Sequence, residues 1–131
     1  MALPKANRLK QRKDFTAVYE RGRRRNAPNF TLRALRRPKS ITIAASLTAQ
    51  LPEATCPRIG ISISRKVSKK AVVRNRLKRQ IRAMFRQFLP RIADRWWIVI
   101  GVKSTAVGCD YGQILQELEQ LLVQAEVLNG N

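Results

Sequence analysis

Histidine is absent from this chain of 131 residues, and only two cysteines are present. The lack of histidine removes the commonest general base of enzymes and a frequent metal ligand. Cys56 and Cys109 have no cysteine neighbour, so the clustered ligands of a zinc site are missing. Two isolated cysteines without a preceding leader segment indicate reduced thiols, and we therefore expect a cytoplasmic protein.

Acidic side chains are also scarce. The chain has 8 Asp and Glu against 27 Lys and Arg, which gives a formal net charge of +19. Between Gly22 and Ala93 the one acid is Glu53. This imbalance predicts a polyanionic partner, for which nucleic acid is the usual candidate. A stand-alone nuclease would need clustered carboxylates to hold metal ions, and the isolated Glu53 and Asp94 form no such cluster.

Long apolar runs are missing as well. None approaches the roughly 18–20 residues of a membrane-spanning helix, so we expect no membrane partner. A chain of 131 residues with 44% hydrophobic content matches one domain with one modest core. We therefore predict a single domain over residues 1–131, in which residues 1–13 form a mobile basic arm anchored by Leu9.

The stretch over residues 66–89 is strongly basic and carries the pattern of an amphipathic helix. From Arg65 to Arg91 the chain has eleven Lys or Arg and no acid. Apolar residues repeat at helical spacing along one stripe: Val73, Leu77, Ile81, Met84, Phe85 and Phe88. The opposite face carries Asn75, Arg79, Arg82 and Arg86, flanked by Arg76 and Lys78. A merely solvated face usually mixes charges of both signs, so this pattern favours RNA or DNA contact.

The remaining patterns predict the order α-β-β-β-α-β-α. Asp14 is expected to cap a helix over residues 15–21 that ends at Gly22, and residues 23–28 are expected to form a loop. Strands are predicted over residues 29–36, 41–47, 58–64 and 96–103, the last buried on both faces. Asp110 and Gln113 fit a capping box for a final helix that ends at Asn129 and Gly130.

Two of these elements carry candidate ligand-binding features. Phe15, Val18 and Tyr19 share one side of the first helix. They form either its core stripe or an aromatic pair, partly open to solvent, on which bases stack. The strand over residues 58–64 has an outer face of Gly60, Ser62 and Ser64, which leaves room for a ligand.

Three motifs, in order, resemble the protein subunit of bacterial ribonuclease P. They are Asn7-Arg8-Leu9 followed by Asp14-Phe15 and Tyr19, then residues 58–66, and then residues 71–79 around Arg74-Asn75-Arg76. The resemblance implies an α+β fold, a two-layer α/β sandwich of the ribosomal-protein-S5-domain-2-like type. Its four-stranded sheet would contain a left-handed βαβ crossover, an exception to the usual right-handed rule.

The resemblance also implies a division of labour in which the protein cuts nothing itself. A catalytic RNA subunit with bound Mg²⁺ would remove the 5′ leader of precursor tRNA, and the protein would have no intrinsic cofactor and no obligatory protein partner. The residues expected to bind the catalytic RNA are Arg65, Lys69, Lys70, Arg74, Asn75, Arg76, Lys78, Arg79 and Arg82. Those expected to bind the leader are Phe15, Tyr19, Thr31, Arg33, Ser62, Ser64 and Lys66.

Two alternatives stand beside this assignment. A non-enzymatic ribosomal or other structured-RNA-binding protein would share the charge but leaves the ordered motifs unexplained. A DNA-binding protein with a major-groove helix fits less well, because strands rather than a helix-turn-helix flank the basic helix. The chain departs from the family where Ser68-Lys69-Lys70 replaces a turn that often contains glycine, and Tyr19 adds a hydroxyl to the aromatic platform.

Overall fold

The computed structural model describes residues 3–4, 7–36, 57–92 and 95–128. In these residues the structure contains three α-helices and four strands, of which the first strand was not predicted. They are α1 (Arg12–Arg21), β1 (Arg23–Asn26), β2 (Phe30–Arg36), β3 (Arg58–Ser62), α2 (Ala71–Phe88), β4 (Trp96–Val102) and α3 (Tyr111–Gln124). Short 3₁₀ turns cover Leu89–Arg91 and Ser104–Gly108. The strand predicted over residues 41–47 lies outside the described residues.

The four described strands form one sheet in the order β1-β2-β4-β3. β2 pairs with β1 and β4 in antiparallel fashion, whereas β3 and β4 are parallel neighbours joined through α2. This arrangement confirms the βαβ crossover, whose left-handed sense stays a prediction. β4 lies inside the sheet, and its residues Ile98, Val99 and Ile100 are buried on alternating faces, as the apolar run predicted.

The main core lies between one face of the sheet and helices α2 and α3. The buried residues of α2 are Leu77, Ile81, Met84, Phe85 and Phe88, which confirms the predicted stripe, while Val73 is half-buried at its edge. Each large side chain removed from water in this way contributes about 1.5–3 kcal/mol. Helix α1 packs on the opposite face of the sheet, where Val18 and Val99 are buried with Leu9 in a second, smaller cluster.

Strand β1 shows that the predicted loop over residues 23–28 is wrong for its first four residues. Three successive arginines, Arg23 to Arg25, show no apolar alternation, and none of the four residues of β1 is buried. The strand forms through pairing with β2, and the turn is closed by a hydrogen bond from Ala27 N to Phe30 O of 2.8 Å. A charged edge strand of this kind carries no hydrophobic signal in the sequence.

Two helix boundaries also differ from the predictions. Helix α1 begins after Gln11, with Asp14 in its first turn rather than at its N-cap. Gly22 ends it, as predicted, in an extended conformation, and glycine is required there because a Cβ would lie 2.5 Å from Val18 O. The capping box of Asp110 and Gln113 at the start of α3 is confirmed.

Helix α3 ends earlier than predicted, in a Schellman motif without glycine. Glu126 takes a left-handed conformation with φ 62°. Glu126 N donates to Val123 O at 3.0 Å, and Val127 N donates to Leu122 O at 2.9 Å. These two bonds define the motif, and the predicted stop at Asn129 and Gly130 is therefore wrong.

The N-terminal segment lies along the outer edge of β3. Leu9 N donates to Ile59 O at 2.9 Å, and the side chain of Asn7 donates to Pro57 O at 2.8 Å. Leu9 is buried, which confirms its role as an anchor, and Leu3 is buried in the main core. The mobility of residues 1–13 as a whole stays a prediction.

Candidate nucleic-acid interface

The polar face of α2 and the loop before it form a continuous basic surface, which we call the α2 face. Of the residues predicted to bind the catalytic RNA, six are exposed: Arg65, Lys69, Lys70, Asn75, Arg76 and Arg79. The other three, Arg74, Lys78 and Arg82, are half-buried. Because the apolar stripe of α2 holds the helix against the sheet, the cations on its other side are held at fixed spacing.

Arg74 is hydrogen-bonded to the loop before α2, where Arg74 Nη1 donates to Ser68 O at 2.6 Å. Its contact with RNA stays a prediction. In the same loop, Lys70 N donates to Ser68 Oγ at 3.2 Å. A guanidinium has five N–H donors, so this bond leaves donors for a second partner. Arg74 therefore also holds the loop that presents Lys69 and Lys70.

Arg82 lies near Arg8, a residue that was not among the predicted site residues. Burial lowers the pKa of Arg82 from its ordinary value, and the neighbouring charge of Arg8 lowers it further. Arg8 Nε donates to Leu3 O at 2.9 Å, which holds its side chain in place. Only the docking of the N-terminal segment on β3 brings Arg8 to α2, so sequence spacing alone gave no signal for it.

A second polar surface crosses the other face of the sheet, beside α1, and we call it the sheet cleft. Its floor is a row of four residues in register: Asn26, Thr31, Gly101 and Ser62. Directly paired residues face the same side of a sheet, so this row spans all four strands on the side of α1. A Cβ added to Gly101 would meet only Thr31, at 3.8 Å, so the centre of the floor is open.

Helix α1 forms the wall of this cleft. The ring of Phe15 lies over Gly60, where an added Cβ would approach it to 2.5 Å. Tyr19 is 42% exposed, and Arg33 Cζ lies 4.6 Å from its ring centroid. The core interpretation therefore applies to Val18, which is buried, and the open-platform interpretation applies to Tyr19, which is exposed. Phe15 is half-buried.

The structure brings five of the seven predicted leader-binding residues to the cleft: Phe15, Tyr19, Thr31, Arg33 and Ser62. The other two, Ser64 and Lys66, are exposed beyond the end of β3, in a turn where Val67 N donates to Ser64 O at 3.0 Å. They follow Ser62, which is the β3 end of the row, and the chain then continues into the loop before α2. Sequence analysis missed Gly101 and Asn26, although Gly101 is the one glycine in the apolar run of β4.

Two acidic residues of α3 form hydrogen bonds or ion pairs with other residues of the protein, on the side of the sheet away from the cleft. Glu117 accepts hydrogen bonds from Asn29 N at 3.0 Å and Asn29 Nδ2 at 2.9 Å. Glu119 forms an ion pair with Arg91 at 2.7 Å. Across residues 3–4, 7–36, 57–92 and 95–128, no three His, Cys, Asp or Glu side chains are grouped so that they could hold a metal ion. No helix in these ranges is long and apolar enough to span a bilayer.

Comparison with known proteins gives a consistent family. The model of the family described as Ribonuclease P matches residues 3–126. A ribonuclease P protein component from a Nostoc species is 54% identical over 139 residues, covering 100% of this chain and 99% of the relative. The corresponding protein of a Cyanothece species is 52% identical and covers 98% of each chain.

Solved structures agree with the sequence matches. The RNase P protein of Staphylococcus aureus superposes with a TM-score of 0.77 at 28% identity, covering 95% of this chain and 100% of the other. The RNase P protein of Thermotoga maritima has a TM-score of 0.70 at 24% identity, covering 89% of this chain and 96% of the other. The second likeness concerns the fold alone.

Proposed function

This chain belongs to the ribonuclease P protein family and is thus a subunit of the enzyme that matures the 5′ ends of tRNA, and from this premise we propose that its two polar surfaces hold different RNAs. The α2 face binds the catalytic RNA, and the sheet cleft binds the single-stranded 5′ leader of precursor tRNA. The whole of residues 1–131 acts as one RNA-binding domain in the cytoplasm.

The charge and geometry of the α2 face support contact with a folded RNA. Its cations project from a helix that is fixed to the core, and Arg74 and Lys70 hold the preceding loop in shape. Closely spaced cations on a fixed helix match the phosphates of a structured RNA, because the backbone that carries them is already ordered before binding. The exposed Arg76 and Arg79 contact phosphates, while Asn75 has both a donor and an acceptor for sugars or bases.

The sheet cleft combines the features that bind single-stranded RNA. Non-specific single-strand binding combines aromatic platforms with a positive groove. Tyr19 offers an exposed ring beside Arg33, and the floor of Thr31, Gly101 and Ser62 leaves room for a strand to lie flat. The cleft has few groups that recognise base edges, which suits a subunit that accepts leaders of many sequences.

In this proposal Mg²⁺ is bound by the RNA subunit and not by the protein. The described residues of both surfaces are cationic or neutral, and they lack the oxygen cluster that Mg²⁺ requires. The residues therefore do not fit a metal site on the protein. Its contribution is to hold the catalytic RNA and substrate together, and the hydrolysis is performed by the RNA subunit.

The single observation that carries the proposal is the open row of Asn26, Thr31, Gly101 and Ser62 beside the exposed Tyr19–Arg33 pair. Reconstitution tests the division of labour. With precursor tRNA and Mg²⁺ the protein alone is expected to give no cleavage, and addition of a bacterial catalytic RNA is expected to give leader removal at low Mg²⁺. Robust 5′ processing by the pure protein would overturn the proposal.

A further inference from the structure

A groove of about 530 Å³ lies between the β1–β2 turn and helix α3, on the edge of the sheet. Its volume is within the roughly 300–1,000 Å³ typical of sites for small ligands. Side-chain amides dominate its lining: Asn26, Asn29, Gln113, Gln116, Gln120 and Gln124. The four glutamines are exposed and lie along one side of α3. We call this the amide groove.

The chemistry of the amide groove differs from that of the rest of the surface. Each amide has donors and an acceptor, so the groove matches the edges of bases and ribose hydroxyls. The one charged residue in its lining is Glu117, which already accepts two hydrogen bonds from Asn29. A carboxylate there disfavours a phosphate inside the groove, so the groove suits bases and riboses better than the phosphates between them.

Asn26 connects the amide groove to the sheet cleft. It is the last residue of the row across the sheet, where it accepts a hydrogen bond from Thr31 Oγ1 at 3.3 Å. The same residue lines the amide groove. A strand that follows the row from Ser62 to Asn26 therefore crosses the edge of β1 and arrives at the groove.

The direction of such a strand follows from the proposed function, on which this inference rests. Ser64 and Lys66 lie beyond the Ser62 end of the cleft, toward the loop before α2, and thus nearest the catalytic RNA. The leader is cut where it joins the tRNA, so its 3′ end lies at Lys66. Its 5′ end leaves the sheet at Asn26. We propose that the amide groove binds leader nucleotides that lie 5′ of those held in the sheet cleft.

A leader-length series tests this proposal with the reconstituted holoenzyme. Precursor tRNAs whose leaders are lengthened one nucleotide at a time are compared for binding by the unaltered protein and by the double variant Gln116→Ala with Gln120→Ala. Once the leader is long enough to pass Asn26, the unaltered protein is expected to gain about tenfold in affinity, the size of roughly two amide hydrogen bonds. The double variant is expected to lose this gain and to keep its affinity for short leaders.

The controls separate the possible failures. Gln87→Ala removes an exposed amide of α2 outside the groove and is expected to leave the whole series unchanged. Equal loss for short and long leaders, or no loss at all, would overturn the groove assignment. A photo-crosslinker at position 120 that labels the catalytic RNA instead of the leader would also overturn it. If short leaders gave no advantage over mature tRNA even with unaltered protein, the sheet cleft itself would be wrong.

Discussion

The α2 face and the sheet cleft differ in charge density and in side-chain size. The α2 face presents long cations on a helix that is fixed behind the sheet, with Arg8 near Arg82 adding to the charge. The cleft, on the other side of the sheet, has a floor without a side chain at Gly101 and one arginine stacked on a tyrosine. The first design suits the fixed phosphates of a folded RNA, and the second suits a flexible strand of variable sequence.

The largest effect is expected from removing charge on the α2 face. Arg74→Ala with Arg76→Ala removes two charge-assisted contacts and loosens the loop of Lys69 and Lys70. We expect assembly with the catalytic RNA to weaken by roughly a hundredfold, since a hydrogen bond to a charged group is worth about 1.5–3 kcal/mol. Filter binding at one fixed salt concentration measures the loss.

The matched control for that variant removes the same charge elsewhere. Arg21→Ala with Arg23→Ala takes away two exposed arginines at the end of α1 and the start of β1, where Arg23 forms a solvent-exposed ion pair with Glu126 at 3.8 Å. Assembly is expected to change little. If both double variants weakened assembly equally, net charge rather than the α2 face would be responsible.

A smaller effect is expected from filling the floor of the cleft. Gly101→Val places a branched side chain where a Cβ meets only Thr31 at ordinary distance, and valine suits a strand, so the fold is expected to remain. Affinity for leader-bearing precursor is expected to fall about tenfold, a loss of about 1.4 kcal/mol. Binding of mature tRNA is the internal reference, and a parallel loss there would show that the cleft does not hold the leader. Gly101→Ala is expected to have a weaker effect.

The smallest of these losses is expected at the wall of the cleft. Tyr19→Ala removes the exposed platform and is expected to weaken precursor binding by roughly fivefold, the low end of the about 1–3 kcal/mol that base stacking on an aromatic ring is worth, because the ring already stacks with Arg33. Tyr19→Phe keeps the ring and is expected to bind normally. A loss in the phenylalanine variant as large as in the alanine variant would assign the effect to the hydroxyl and not to stacking.

Much of this fold was predictable because local patterns agree with tertiary packing. The stripe of α2 and the alternation of Phe30, Leu32 and Ala34 in β2 each report a buried face directly. Strand β1 could not be found in this way, because its four residues bury nothing and depend on pairing with β2. The end of α3 was missed for a related reason, since Glu126 adopts the left-handed conformation that glycine usually marks.

The sequence predicted which residues contribute to the two surfaces better than it predicted how those residues are arranged in space. Five of the seven predicted leader-binding residues lie at the cleft, but the central position of Gly101 depends on a register between strands that are distant in sequence. Phe15 and Tyr19 looked equivalent on the helix, and only the position of Gly60 distinguishes them. That Arg74 binds RNA stays a prediction, and its bond to Ser68 depends on the path of a loop that has no repeating pattern.

Gly60 also sets the width of the cleft. Its hydrogen, in place of a methyl group, allows the ring of Phe15 to rest directly on the backbone of β3. With alanine at this position the ring, and the start of α1 with it, would have to rise from the sheet. The gap between that wall and the row through Ser62 would then change along its whole length. The absence of a side chain at Gly60 thus sets how closely α1 approaches β3, and with it how wide a strand the cleft would admit.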